Sequence, residues 1–232
     1  MPYKKLSLPL FLIFCALILS PVLIASPFEL TIVDSNSQPL KNVVISWPSS
    51  SQREAPTEVA VMDQRDKAFE PHVLVVQQGS LVSFPNSDNI RHHVYSFSRP
   101  KKFEIKLYSG EPSNPVLFDN PGVVVLGCNI HDSMLGYIYV SPSSNYDISD
   151  KLGRLQLAFD EEPPAEMQFQ LWHPQLNSHN LPVKLSYREI KQNNYIVRLT
   201  LTTSVVRNTS SDKTESPLEK RFRELRQRRG QL

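Results

Sequence analysis

Gly122-Val123-Val124-Val125-Leu126-Gly127-Cys128-Asn129-Ile130-His131-Asp132-Ser133-Met134-Leu135-Gly136-Tyr137-Ile138-Tyr139-Val140 reads as a strand, a short loop and a second strand. Residues 123–126 are continuously apolar, the pattern of a strand buried on both faces. Residues 137–140 carry the chain out of the loop. Between them Cys128, His131 and Met134 stand at three-residue intervals and offer a thiolate, an imidazole and a thioether. A second imidazole is available upstream in His92-His93. Two imidazoles, one thiolate and a weak thioether are the donor set of an electron-transfer copper site. Hard cations prefer oxygen, and zinc has little use for a thioether.

Working outward, strand-sized runs rich in Val, Ile, Phe and Tyr recur at 28–33, 43–47, 59–62, 73–76, 81–84, 94–97 and 103–107. They resume at 155–159, 167–172, 183–187 and 195–201, with Gly, Pro, Ser, Asn and Asp between many of them. Residues 103–107 alternate apolar and polar, as a half-buried strand does. No amphipathic pattern of ten residues appears before the tail. The expected class is all-β, a sandwich of two packed sheets. The chain divides into an N-terminal β segment (26–55), a small sandwich holding every candidate donor (56–141), a Pro/Ser linker at 141–145, a small C-terminal β-rich segment (149–203) and a charged tail (204–232). In the tail Ser216-Pro217-Leu218-Glu219 has the form of a capped helix start.

Lys4 and Lys5 followed by the apolar run 8–19 predict an export signal over residues 1–25. Run 8–24 approaches membrane-spanning length, so an uncleaved anchor is the rival reading. Cleavage removes Cys15 and leaves Cys128 as the only cysteine of an exported chain. Thiols in an oxidising compartment normally pair. A lone one is either a small buried hydrophobe or a metal ligand, and its neighbours favour the ligand. Residues 207–232 carry eight Lys or Arg against four Asp or Glu, which leaves residues 26–206 at about −4 in a chain of net +2. No basic stripe interleaved with aromatics marks a nucleic-acid surface.

Residues 82–140 resemble a cupredoxin, the plastocyanin and amicyanin type of small blue copper protein, and Cys128-x2-His131-x2-Met134 is similar to the short amicyanin ligand loop. The resemblance implies a Greek-key sandwich whose first ligand is the His of a His-Asn-Val run. It places His92 as ligand, His93 at the Asn position and Val94 on Val. Adjacent strand residues face opposite ways, so only one of His92 and His93 is expected at the metal. In the family that Asn supports the ligand loop, and His93 departs from it. The stretches 62–73, 83–88, 92–97 and 127–132, with Trp172-His173-Pro174, also resemble cupredoxin-like proteins linked to methylamine utilisation. The likeness implies one type 1 copper held by His92, Cys128, His131 and Met134, a periplasmic location, and electron exchange with redox protein partners, His131 offering the exposed ligand edge.

Copper handling (storage, delivery or sensing) would use the same soft donors. Catalysis is not expected. Cys128 and His131 could be read as nucleophile and base, but no orienting acid accompanies them. Gly127 and Asn129 stand where multicopper oxidases place histidines beside the copper cysteine. His72, His173 and His179 have no donors grouped around them in sequence and are expected to be structural or solvated.

Overall fold

The computed structural model describes residues 28–49, 56–112, 114–159, 161–177 and 179–202. The predicted export signal and the tail with its helix start lie outside these residues. In chain order the elements are β1 (Phe28–Asp34) and β2 (Val44–Trp47); then β3 (Ala60–Val61), β4 (Asp63–Arg65), β5 (Ala68–Glu70), β6 (Val73–Gln77), β7 (Ser80–Ser83), β8 (His92–Ser96), β9 (Phe103–Tyr108), β10 (Val116–Phe118), β11 (Gly122–Cys128) and β12 (His131–Ser141). After these come β13 (Asn145–Ile148), β14 (Arg154–Leu157), β15 (Gln168–Trp172), β16 (Val183–Ser186), α1 (Tyr187–Gln192) and β17 (Ile196–Leu199). The described residues are all-β apart from α1, which a Ser186–Glu189 capping box starts.

Four of the sheets stack as layers. The outermost, β14-β1-β17, packs on β13-β2-β15-β16 through Leu30, Ile32, Ile45, Leu157, Phe169 and Leu171. At the other end β10-β7-β3 packs on β6-β12-β11-β8-β9 through Val82, Phe84, Phe118, Val124, Leu126 and Ile138. In this second sandwich the chain crosses between sheets from β6 to β7 to β8, and again from β9 to β10 to β11. β12 then returns parallel to β6, which gives the Greek-key sandwich expected from the sequence.

The two inner sheets meet at a third apolar layer, where Trp172 and Val44 press on Tyr137, Tyr139, Val73 and Val123. The continuously apolar run at 123–126 is thereby explained. Val124 and Leu126 face the sandwich core, while Val123 and Val125 face the seam. The flanking segments 26–55 and 149–203, read separately in the sequence, share one sandwich. β1 pairs antiparallel with β14 and parallel with β17, and β2 lies between β13 and β15. The expected linker at 141–145 is largely absorbed, since β12 runs to Ser141 and β13 begins at Asn145 against Trp47.

His173 lies at this seam, 9% exposed, with His72 as a charge neighbour. Burial pushes His173 down to about 4, helped by the proximity of His72 and opposed by a hydrogen bond to the Lys41 backbone. The unfolded chain, with an ordinary imidazole near 6.5, therefore takes up a proton that the folded chain refuses. Stability falls as pH drops from about 6.5 towards 4 and levels off below that. Urea unfolding between pH 7 and 4.5 is expected to show a His173-dependent loss on the order of 2–3 kcal/mol. His173→Gln should flatten that part of the profile.

Candidate metal centre

β11 and β12 form a hairpin closed by Asn129 and Ile130, and its register breaks beside the turn. Gly127 pairs with Leu135, but Cys128 pairs with His131, so residues 132–134 bulge out of the ladder. Such bulges re-aim side chains. Here the bulge lets His131 and Met134 both approach the face on which Cys128 lies. Two glycines permit the close packing. A Cβ on Gly127 would stand 2.8 Å from the Tyr95 ring, and one on Gly136 would stand 2.7 Å from Phe69 Cβ.

β8 supplies the second imidazole. His92 and Val94 face the sandwich core, and the ladder to β9 slips between them. His92 Nδ1 lies 3.9 Å from Cys128 Sγ, and His131 Nδ1 lies 3.8 Å from it. The donor atoms of His92, Cys128 and His131 all lie within 4.8 Å of one another. Metal bonds of about 2.0 Å to nitrogen and about 2.3 Å to sulfur, meeting at about 110–130°, separate such donors by about 3.5–3.9 Å. The two sulfur–nitrogen separations match that spacing, as a first-row ion held by these groups would need. Met134, 2% exposed, is buried in the same apolar cluster as Cys128. His92 is fully buried and Cys128 nearly so, while His131 is half-buried beside the exposed Ile130.

His93 lies outside this group. Its Nε2 meets Glu104 Oε1 on β9 at 2.9 Å, its ring stands against Tyr95, and its Nδ1 is buried without a hydrogen-bond partner. The backbone ahead of His92 is braced instead by Asn86, whose amide donates to the carbonyls of Ile90 and Tyr108. Tyr108, whose backbone pairs with His92, donates its hydroxyl to the Phe84 carbonyl and accepts from Gln64. Burial raises Tyr108 to about 12 and keeps it a donor. His72 is exposed with its ring edge-on to Tyr137, and neither it, His173 nor His179 belongs to the cluster.

Sequence reading passed over one polar residue. Asp88 Oδ2 lies 2.6 Å from His92 Nε2, on the far side of the ring from Cys128. Partial desolvation works to raise Asp88, but the N–H groups of Lys67 and Asp66 together with His92 outweigh it and hold the carboxyl below its usual range. Asp88 stands in a turn-like Asn-Ser-Asp run whose composition carries no periodic signal. Its spacing of four residues before His92 was the only cue.

No family model and no curated protein matches this chain. Solved structures resemble parts of it. A copper-containing nitrite reductase from Thermus scotoductus SA-01 is 23% identical over 41% of this chain, with a TM-score of 0.35, and the match spans only 25% of that enzyme. A purple cupredoxin from Nitrosopumilus maritimus is 20% identical over 35% of this chain and 99% of its own, with a TM-score of 0.32. A mutant amicyanin in its reduced Cu(I) form at pH 4 is 21% identical over 42% of this chain and 98% of its own, with a TM-score of 0.34.

The two histidines separate by substitution. His92→Ala is expected to abolish tight Cu(II) binding. His93→Ala, which removes the ring packed against Tyr95, should weaken it by about 10–100-fold. Competitive titration of both variants checks this, and the reverse order would exchange their roles.

Proposed function

We propose that this chain is a carrier of single electrons that holds one type 1 copper through His92, Cys128, His131 and Met134 and exchanges electrons with redox protein partners in the periplasm. The observation that supports it is the convergence of two imidazole Nδ1 atoms on one buried cysteine sulfur, with a methionine in the same apolar cluster. Bound copper would supply the one-electron couple, and a thiolate with two imidazoles suits both its oxidation states.

The protein's own contribution is rigidity and insulation. Cys128 and His131 are paired across a two-residue turn, and His92 comes from a strand of the same sheet. Donors fixed in a hydrogen-bonded sheet give little room for rearrangement between two oxidation states. Burial of His92, Cys128 and Met134 keeps water from these donors. His131 is the half-buried member, so its edge is the short route for an electron to a docked partner. Exposed Ile130 beside it suits an apolar contact at that point.

Storage or delivery of copper would use the same donors, and the buried scaffold favours retention over release. The deciding experiment is the visible spectrum of the purified protein titrated with Cu(II), alongside Cys128→Ala. An intense blue thiolate-to-copper band that saturates at one equivalent, bleaches on reduction and is absent from Cys128→Ala is the expected result. Absence of that band from the unsubstituted protein would overturn the carrier reading.

A further inference from the structure

We infer that Asp88 is the positioning residue of this centre, fixing the proton of His92 on Nε2 and placing a negative charge against the ligand ring that lowers the reduction potential. This rests on the copper reading for the potential, whereas the proton placement stands on the hydrogen bonds alone. Asp88 Oδ1 accepts from the backbone N–H of Asp66 at 2.7 Å, and Oδ2 accepts from the backbone N–H of Lys67 at 3.0 Å. A backbone N–H can only donate, so both carboxylate oxygens are committed as acceptors. An ionised carboxylate, the form that two N–H donors favour, has no proton to give, so in the 2.6 Å contact His92 Nε2 donates. A neutral imidazole with its proton on Nε2 carries its lone pair on Nδ1, the atom that faces Cys128 Sγ at 3.9 Å.

The two donors that hold Asp88 come from the tip of the β4–β5 hairpin. Asp66 and Lys67 have φ of 53° and 58°, the left-handed pair of a tight hairpin turn, and both of their N–H groups point at the same carboxylate. Two successive N–H groups arranged in this way form an anion-holding concavity. The hairpin is anchored through Phe69, whose side chain lies against Gly136 of β12 beside the ligand bulge. Residues 62–73, which the sequence marks as a characteristic lead-in, thus hold the counter-charge of a ligand ring.

A carboxylate hydrogen-bonded to a ligating imidazole makes it a stronger donor and orients it. Its charge favours the more positive oxidation state of an ion held by that ring. Asp88→Asn keeps the shape and removes the charge. The midpoint potential of the copper couple is expected to rise by about 59 mV, a tenfold shift of the one-electron equilibrium towards the reduced form. Cu(II) affinity is expected to fall by about 10–100-fold. A folded Asp88→Asn protein with an unchanged potential would overturn the charge role. Long-range 15N–1H NMR of the unsubstituted, metal-free protein reads the proton placement without any variant. His92 as the Nε2–H tautomer is the expected result, and the Nδ1–H tautomer would overturn the positioning role. If no blue band forms at all, the copper reading fails by itself, and the tautomer still decides the assignment of Asp88.

Discussion

Cys128 can meet two imidazoles only because the strand that carries it is interior on both faces. β11 lays Val124, Leu126 and Cys128 into the core of one sandwich and Val123 and Val125 into the seam with the other. A strand trapped between two apolar layers cannot shift register by one residue without turning its whole inner set to the wrong side. The position of the sulfur is therefore set by burial along the strand, before any ligand chemistry. The donors then reach it from three directions: the hairpin partner, the bulge and the neighbouring strand β8.

Around that fixed sulfur the polar groups sort by whether they face the core or its back. His92 and His93 are adjacent and both buried, yet one joins the cluster and the other pairs with Glu104. The inward ring meets a carboxylate that is itself held by two backbone donors, and the outward ring meets a carboxylate on an exposed strand edge. The chain thus backs each imidazole with an acidic group. Asn86 braces the backbone ahead of His92, and the Tyr95 ring packs on Gly127.

Much of this was legible in the sequence. The Val, Ile and aromatic runs marked most of the long strands, because half-buried strands must alternate and doubly buried ones must be apolar. The grouping of Cys128, His131 and Met134 could be read from their spacing, since a short loop between paired strands has little freedom. Three things could not be read. The β4–β5 hairpin is too short and polar to show a period, and its pairing rests on turn geometry at Asp66 and Lys67. β13 was hidden by the proline and serines before it, because its place is set by the edge of β2 and its own pattern carries little of the signal. The union of the two flanking segments was invisible because pairing between distant strands leaves no local mark.

That union also sets an order of events. Arg198 donates to the Asp34 carbonyl across 164 positions, and β17 lies parallel to β1, so the host sandwich must await nearly the last described residues. Cys128 and His92 are 36 positions apart, and the inserted sandwich is complete by Ser141. Loop-closure entropy grows with the separation of the joined segments. On a chain made from its N-terminus the inner unit can close first, while β1 and β2 wait unpaired. The cupped donors are then ready to accept an ion while the protein around them is still unfinished.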